Sequence, residues 1–462
     1  MDSSSRLAIS MEHHSPFVDG TPKSLRFTRW RWTVLFLMNF ILLGNFYCYD
    51  NPQALETHLI EELKITRTQY NLLYSIISFP NIIFPFIGGY ITDYFGVRKG
   101  LLFFQTLVTL GQAIFAYGAY TSSYFWMLTG RLIYGLGTDT QSVAENSLAS
   151  YWFEGKEQAF AIALCTTMFG IGSTMDTFVT PRLQEYSQNL YLPALFGVIL
   201  CIFSQLLLFV LLWIDLKNER QEKAFEKFTT GVSLKQSFSE GHKIRLKDIK
   251  NFKRIFWFLA VNYGLAGSIF FTFTNLANDF VSQRFGFDNI EAGDIVASIY
   301  IAMAIAAPAC GLLVDKYGRR VKVLVLACLL GIAIYTFLAF MPVCNKCYTI
   351  IFPLIGLGIF LGAYDSGIMP SLPLILDKEY YATGFGLYFV AQNITMTIIP
   401  IIVGRIQDVT IDVDFGYFWV LIFMIGYSLV TLVSCVPIFY EDAKLNHILN
   451  NYKIGYKKDF LK

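Results

Sequence analysis

Twelve apolar runs of about 20 residues, separated by short gaps that hold most of the charge, set what this chain can become. A helix of that length crosses the hydrocarbon core of a bilayer. Within a bilayer only helices and closed barrels satisfy their own backbone hydrogen bonds. The runs fall at roughly 32–50, 69–92, 99–120, 124–149, 157–179 and 192–214, then 254–277, 290–314, 321–341, 348–371, 382–405 and 415–438. Only 15% of residues are charged, against about 25% in soluble domains, which sets aside a soluble enzyme. A net charge of +2 leaves no electrostatic footprint for nucleic acid.

A second feature divides the runs into halves. Gly89-Tyr-Ile-Thr-Asp93-Tyr-Phe-Gly96-Val-Arg98-Lys99 recurs as Gly311-Leu-Leu-Val-Asp315-Lys-Tyr-Gly318-Arg319-Arg320, an offset of 222 residues. The same offset carries Lys156-Glu157 onto Lys378-Glu379. The fold predicted is all-α: a polytopic membrane protein of twelve transmembrane helices in two pseudo-symmetric six-helix bundles, 32–214 and 254–438. A tail (1–31), a charged linker (215–253) and a second tail (439–462) complete the chain. Lys and Arg favour the cytosolic side of membrane proteins. Lys23, Arg26, Arg29, Arg31, Arg98, Lys99, Lys156, Lys316, Arg319, Arg320 and Lys322 gather on one side with both tails and the linker, so that side is expected to be cytosolic. The basic N-terminal tail shows no cleavable leader, and the first span is expected to serve as its own insertion signal. The linker reads as a solvated connector or a regulatory tether, with room for an interfacial helix near Leu216–Phe228.

The repeated loops have physical content. Gly89 and Gly311 allow close helix approach, and Gly96 and Gly318 permit a tight turn. Asp93 and Asp315 end their helices where a neighbouring helix N-terminus stabilises an anion. Arg98, Lys99, Arg319 and Arg320 fix topology and can bond nearby acids. Together they are expected to form a gate; the alternative is a topology signal alone.

These loops resemble the signature of the major facilitator superfamily, and Gly130-Arg131-Leu-Ile-Tyr-Gly135-Leu-Gly137 resembles its fourth-helix motif. The likeness narrows with Tyr47-Cys48-Tyr49-Asp50-Asn51-Pro52-Gln-Ala54-Leu55, Val143-Ala144-Glu145-Asn146, Trp152-Phe153-Glu154-Gly155-Lys156-Glu157 and Thr383-Gly384-Phe385-Gly386. These are similar to the lysosomal dipeptide transporter branch of that superfamily, from about Arg31 to Pro437. The resemblance implies dipeptide export (uniport) from lysosome to cytosol by alternating access, with no cofactor. It also implies a glycosylated accessory membrane protein as partner. The cytosolic N-terminal tail lacks the branch's acidic dileucine signal, so lysosomal residence rests on resemblance alone. The only glycosylation pattern, Asn393-Ile-Thr395, lies inside a span.

A carrier binds its cargo near the midplane between the halves, where each charge costs about 2.5–3.5 kcal/mol and therefore needs a reason. The fourth span carries a polar stripe at helical spacing: Arg131, Gly135, Thr138, Asp139, Ser142, Glu145 and Asn146. The fifth adds Thr166, Gly170, Ser173 and Thr177, with Asp176 beside them. Asn262, Tyr263, Asn275, Asp365, Gln392 and Asn393 are the second half's candidates. Asp139, Thr138, Ser142, Thr166, Gly170, Ser173, Asn262, Tyr263, Gln392 and Asn393 are taken as the substrate set; for each, hydrogen bonding between helices is the competing role. Arg131 and Glu145 are assigned coupling or structural roles. No histidine lies in a span, so a proton-linked carrier would rely on carboxylates, Asp139 and Glu145 first.

The resemblance also marks a departure. The branch's cavity arginine on the fifth helix matches Gly170 here, so either Arg131 substitutes from about 12 Å along its helix or the cargo differs. The competing functions are a carrier for another small solute, with or without proton coupling, and a non-transporting membrane sensor or scaffold. No nucleophile–base pair or histidine-rich set suggests an intramembrane enzyme. Cys344-Asn-Lys-Cys347 suits a small disulfide in an oxidising compartment and is too few ligands for a metal. Cys48, Cys165, Cys201, Cys310, Cys328 and Cys435 are expected to be packing residues.

Overall fold

The computed structural model describes residues 17–450 apart from 19–20, 23, 53–54, 56–58, 60–61, 66, 155–156, 231–245, 343 and 411–413. Lys156, part of the repeated pattern, and the middle of the linker (231–245) therefore lie outside the described residues. A two-residue antiparallel pairing, Phe17–Val18 with Thr21–Pro22, precedes the helices. The first half is built from α1 (Trp30–Asp50), α2 (Arg67–Asn81), α3 (Phe84–Phe95), α4 (Val97–Tyr120), α5 (Tyr124–Trp152), α6 (Gln158–Ser187) and α7 (Tyr191–Thr230). The second is built from α8 (Arg254–Phe285), α9 (Asn289–Tyr317), α10 (Arg320–Phe340), α11 (Ile351–Ile368), α12 (Leu372–Ile375), α13 (Tyr381–Val409), α14 (Tyr417–Val433) and α15 (Cys435–Lys444).

Among the described residues ten helices are long and apolar enough to cross a membrane, and the bent pair α2–α3 makes eleven. The fourth predicted span, α5, is the one helix of full length that falls short in apolarity. Its polar stripe is the cause: Arg131, Thr138, Gln141, Glu145 and Asn146 are all buried in protein. A polar helix is tolerated at membrane depth when neighbouring helices cover it.

Two segments differ from the sequence expectation. The second span, expected as one helix over 69–92, is bent by 48° between α2 and α3. Pro80 lies inside α2, and Pro85 sits in the first turn of α3; proline removes a ladder hydrogen bond and crowds the preceding turn. The helix of the sixth span does not stop at 214 but runs on to Thr230, so the helix expected near Leu216–Phe228 is present and continuous with the span. Its extension is anchored rather than solvated. Arg98 pairs with Asp215 at 3.5 Å and with Glu219, the Trp152 indole donates to Asp215, and Arg26 pairs with Glu222 at 3.2 Å. All of these partners belong to the first half or the tail before it, so the start of the linker is fastened to that half.

The halves meet along two crossings, α3 on α13 and α6 on α9, and glycine permits both. A Cβ at Gly89 would stand 2.3 Å from the Ala382 carbonyl oxygen, and one at Gly386 would stand 2.3 Å from that of Pro85. At the other crossing a Cβ on Gly311 would meet the Phe160 backbone at 2.8 Å. Cys344 and Cys347 are disulfide-bonded in the loop between α10 and α11.

Candidate functional site

A cavity of about 150 Å³ lies between the halves. At roughly 10–15 Å³ per water by the same measure, it has room for about ten waters. α1, α2, α5 and α6 line it from one half, and α8, α11 and α13 from the other.

The α5 stripe supplies Thr138, Asp139, Ser142 and Asn146 to the wall. Thr138 and Ser142 bond to carbonyls of their own helix, at Gly135 and Thr138, and half-buried Asp139 is the charge that the stripe presents to the void. Its carboxylate accepts a 2.9 Å hydrogen bond from the Asn393 amide on α13, across the seam between halves. A second carboxylate enters from α11. Asp365 accepts from the Thr166 hydroxyl of α6 at 3.2 Å, again across the seam. Each half thus presents one acid that is held by a neutral side chain of the other. Tyr263 lies within electrostatic reach of both acids, and Gln392 completes the polar lining from the second half. Phe46, Tyr49, Phe169, Phe271 and Phe389 add aromatic surface to the wall, beside aliphatic Leu42, Ile77, Ile162 and Leu361 and the methionines Met369 and Met396. Phe169 packs edge-on against Phe46 at 5.2 Å and Phe271 at 5.7 Å.

Seven of the ten predicted substrate residues therefore line one void: Thr138, Asp139, Ser142, Thr166, Tyr263, Gln392 and Asn393. Three are placed elsewhere. Asn262 is fully buried among α8, α11 and α14–α15; its amide donates to Thr431 O at 3.1 Å and to the Ser434 hydroxyl, and its oxygen accepts from Tyr364. It ties helices together, and its neighbour Tyr263, one residue further round α8, takes the cavity face. Gly170 sits at the α6–α9 crossing, where a Cβ would lie 2.8 Å from the Tyr300 carbonyl oxygen. Ser173 is buried one turn further on, off the lining.

Arg131 does not substitute for the missing arginine. It is fully buried, and its guanidinium donates to Cys48 O at 2.8 Å, Tyr49 O at 2.7 Å and Leu73 O at 3.4 Å, with the rings of Tyr74, Phe115 and Tyr134 around it. It caps the C-terminal carbonyls of α1, where the helix dipole favours a cation. Glu145 is also off the lining. Its carboxylate accepts from Gln141 at 3.2 Å, and Gln141 in turn donates to Gln105 at 2.6 Å, a buried polar link between α4 and α5.

Among the lining residues that sequence reasoning missed are Asn45, Phe46 and Tyr49 on α1, and Ser78 and Asn81 on α2. The first three precede the Tyr47-to-Leu55 segment or lie within it. Asn81 ends α2 at the proline break, a signal present in the sequence as Pro80-Asn81 and Phe84-Pro85.

At one end of the cavity the repeated loops join the halves. Asp93 of α3 accepts from the backbone N–H groups of Ala382 (3.1 Å) and Thr383 (2.6 Å) and from the Thr383 hydroxyl (2.6 Å), at the N-terminus of α13. Asp315 of α9 accepts from Ala159 N (2.9 Å) and Phe160 N (2.8 Å), at the N-terminus of α6. Each half's acid therefore caps a helix of the other half, satisfying orphan N–H groups and meeting the positive end of the dipole. Gly96 (φ 99°) and Gly318 (φ 67°) end their helices at positive φ, a conformation in which a side chain would be strained. The basic residues behave differently from the acids. Arg98 bonds acids of its own half, Lys99 and Arg319 are exposed, and the Arg320 backbone N–H donates to Leu449 O at 3.3 Å. A Lys378–Glu154 ion pair at 2.7 Å adds one further link between halves at this end.

Comparison with known proteins gives a consistent result. The sequence model of the Major Facilitator Superfamily matches residues 35–280 and 265–453. The lysosomal dipeptide transporter MFSD1 of zebrafish (Danio rerio) is 30% identical over 431 residues, 89% of this chain and 88% of the relative. The human protein of the same name is 30% identical over 433 residues, covering 91% and 88%. Among solved structures, the human organic anion transporter MFSD10 aligns with a TM-score of 0.65 at 14% identity, over 88% of this chain and 100% of that one; at that identity the likeness speaks for the fold.

Proposed function

Because this chain belongs to the Major Facilitator Superfamily, a family of membrane transporters, we propose that it carries a dipeptide through the cavity between its halves by alternating access. The observation that carries this reading is the pairing of a polar cavity at the inter-half seam with 30% identity, over nine-tenths of the chain, to relatives named lysosomal dipeptide transporter. Asp139 receives the cargo's ammonium. Thr138, Ser142, Thr166, Tyr263, Gln392 and Asn393 shape the space around it. The reciprocal caps of Asp93 and Asp315 hold one end shut.

In this reading that end, both termini and the linker face the cytosol, which the lysine and arginine distribution supports. The conformation described is then closed to the cytosol. Lysosomal dipeptide transport follows the relatives' name; export by uniport and a glycosylated accessory membrane protein belong to the same reading through the family resemblance. The two structural links, Gly89–Ala382 and Gly311–Phe160, would separate together as the halves rock.

The test is counterflow of radiolabelled lysyl-alanine into liposomes holding the purified full-length chain, with Asp139→Asn in parallel. Saturable uptake that is lost or reshaped in the variant supports the assignment. Unchanged kinetics remove Asp139 from the site.

A second reading is favoured by Gly170. An arginine side chain cannot occupy that position while α6 and α9 keep their contact, so a carboxylate has no cationic partner there and a different small solute is the alternative cargo.

A further inference from the structure

From the charge of the cavity wall, and resting on the carrier reading above, we infer that the site selects cargo with two separated positive charges and discriminates against net-anionic dipeptides. Two carboxylates line the void, and among the described lining residues there is no lysine, arginine or histidine. The cation of the same α5 stripe, Arg131, donates instead to three backbone carbonyls.

The acids are not neutralised by each other's partners. Asp139 receives one amide N–H and Asp365 one hydroxyl, whereas an ionised carboxylate offers about four acceptor sites. Both therefore keep acceptor capacity facing the void. They also stand on opposite halves, Asp139 on α5 and Asp365 on α11, so a cargo with ammonium groups at its two ends can engage both halves at once. A dipeptide with a lysine side chain has that form: an α-ammonium and an ε-ammonium. Its carboxylate would meet neutral amides such as those of Gln392 and Asn81 rather than a charge. The aromatic residues of the wall, Phe46, Tyr49, Phe169, Phe271 and Phe389, add to the preference, because a ring face attracts a cation.

The seam geometry links this selectivity to both halves. Cargo that bonds Asp139 and Asp365 through their spare acceptor sites bridges the halves beside the Asn393 and Thr166 contacts. A singly charged cargo engages one half and a doubly charged cargo engages both.

The experiment compares lysyl-alanine, alanyl-alanine, alanyl-glutamate and 1,5-diaminopentane. Each is measured as a binding isotherm on purified full-length protein and as competition against labelled lysyl-alanine uptake in proteoliposomes. One carboxylate–ammonium contact is expected to be worth roughly tenfold in affinity. Lysyl-alanine should thus bind about tenfold tighter than alanyl-alanine, and alanyl-glutamate should bind weakest. Asp365→Asn should bring lysyl-alanine to within about twofold of alanyl-alanine, and an unchanged melting temperature shows that the variant is folded. Equal binding of the three dipeptides overturns the inference and leaves the carrier reading intact. A uniform loss across all three in Asp365→Asn, with Thr166→Val behaving likewise, also overturns it, because the acid would then be structural. Diamine binding without any dipeptide binding supports the inference and removes the dipeptide reading. Binding of none of the four ends both.

Discussion

Replacing Asp93 with asparagine should release the shut end of the molecule, by an amount the structure allows to be worked out. The carboxylate accepts three hydrogen bonds from the start of α13. Hydrogen bonds to a charged group contribute about 1.5–3 kcal/mol net, and the helix dipole adds about 0.3–1 kcal/mol. Asparagine keeps one carbonyl acceptor but loses the charge, and it turns an NH2 toward a backbone donor. A net loss of about 2 kcal/mol follows once water solvates the freed groups, shifting the closed-to-open ratio roughly 30-fold. Asp315 makes two such bonds, so Asp315→Asn should move the ratio by less, about fivefold. Spin labels at Lys99→Cys on α4 and Lys322→Cys on α10 report the separation of the halves at this end, both positions being exposed. Double electron–electron resonance should show a longer-distance population growing from wild type to Asp315→Asn to Asp93→Asn. Identical distributions, or a larger effect at Asp315, would refute the assignment of these bonds as the tie between halves.

Four other substitutions follow from the same geometry. Asp139→Asn should weaken lysyl-alanine binding by roughly tenfold without lowering the melting temperature, read by calorimetry and thermal unfolding of one preparation. Gly170→Arg should lower stability and give no gain in dipeptide affinity, since its Cβ meets the Tyr300 carbonyl; a gain in affinity would show that α6 and α9 separate readily there. Arg131→Met should cost about 2–4 kcal/mol, because two carbonyls at the end of α1 lose their donors, and the loss should appear as reduced monodisperse yield. Gly89→Val should favour the open state in the same resonance measurement, as its side chain cannot approach Ala382.

Much of this architecture is legible in the chain because a bilayer punishes ambiguity. The α5 stripe could not face lipid, so Thr138, Asp139, Ser142 and Asn146 had to turn inward, and they line the cavity. The repeated acids were legible as helix-terminus partners because each ends its own helix beside a glycine turn. What could not be read is rotation and bend. Asn262 and Tyr263 are adjacent and equally polar at one end, yet one packs against Thr431 and Ser434 while the other lines the void. Only the azimuth of α8, fixed by packing with α14, separates them. Ser78 and Asn81 reach the wall because α2 and α3 bend at Pro80, an angle that spacing does not reveal. Arg131 sits on the same stripe as Asp139, but its long side chain finds the end of α1 instead of the cavity.

Alternating access itself is tested most directly at the Glu154–Lys378 contact, which ties the two halves at 2.7 Å. A Glu154→Cys/Lys378→Cys pair, treated with a reducible bifunctional thiol reagent in proteoliposomes, should stop lysyl-alanine counterflow. Reductant should restore it, and each singly substituted protein should be unaffected. Undiminished counterflow through fully cross-linked protein would contradict a carrier that must part its halves at that end.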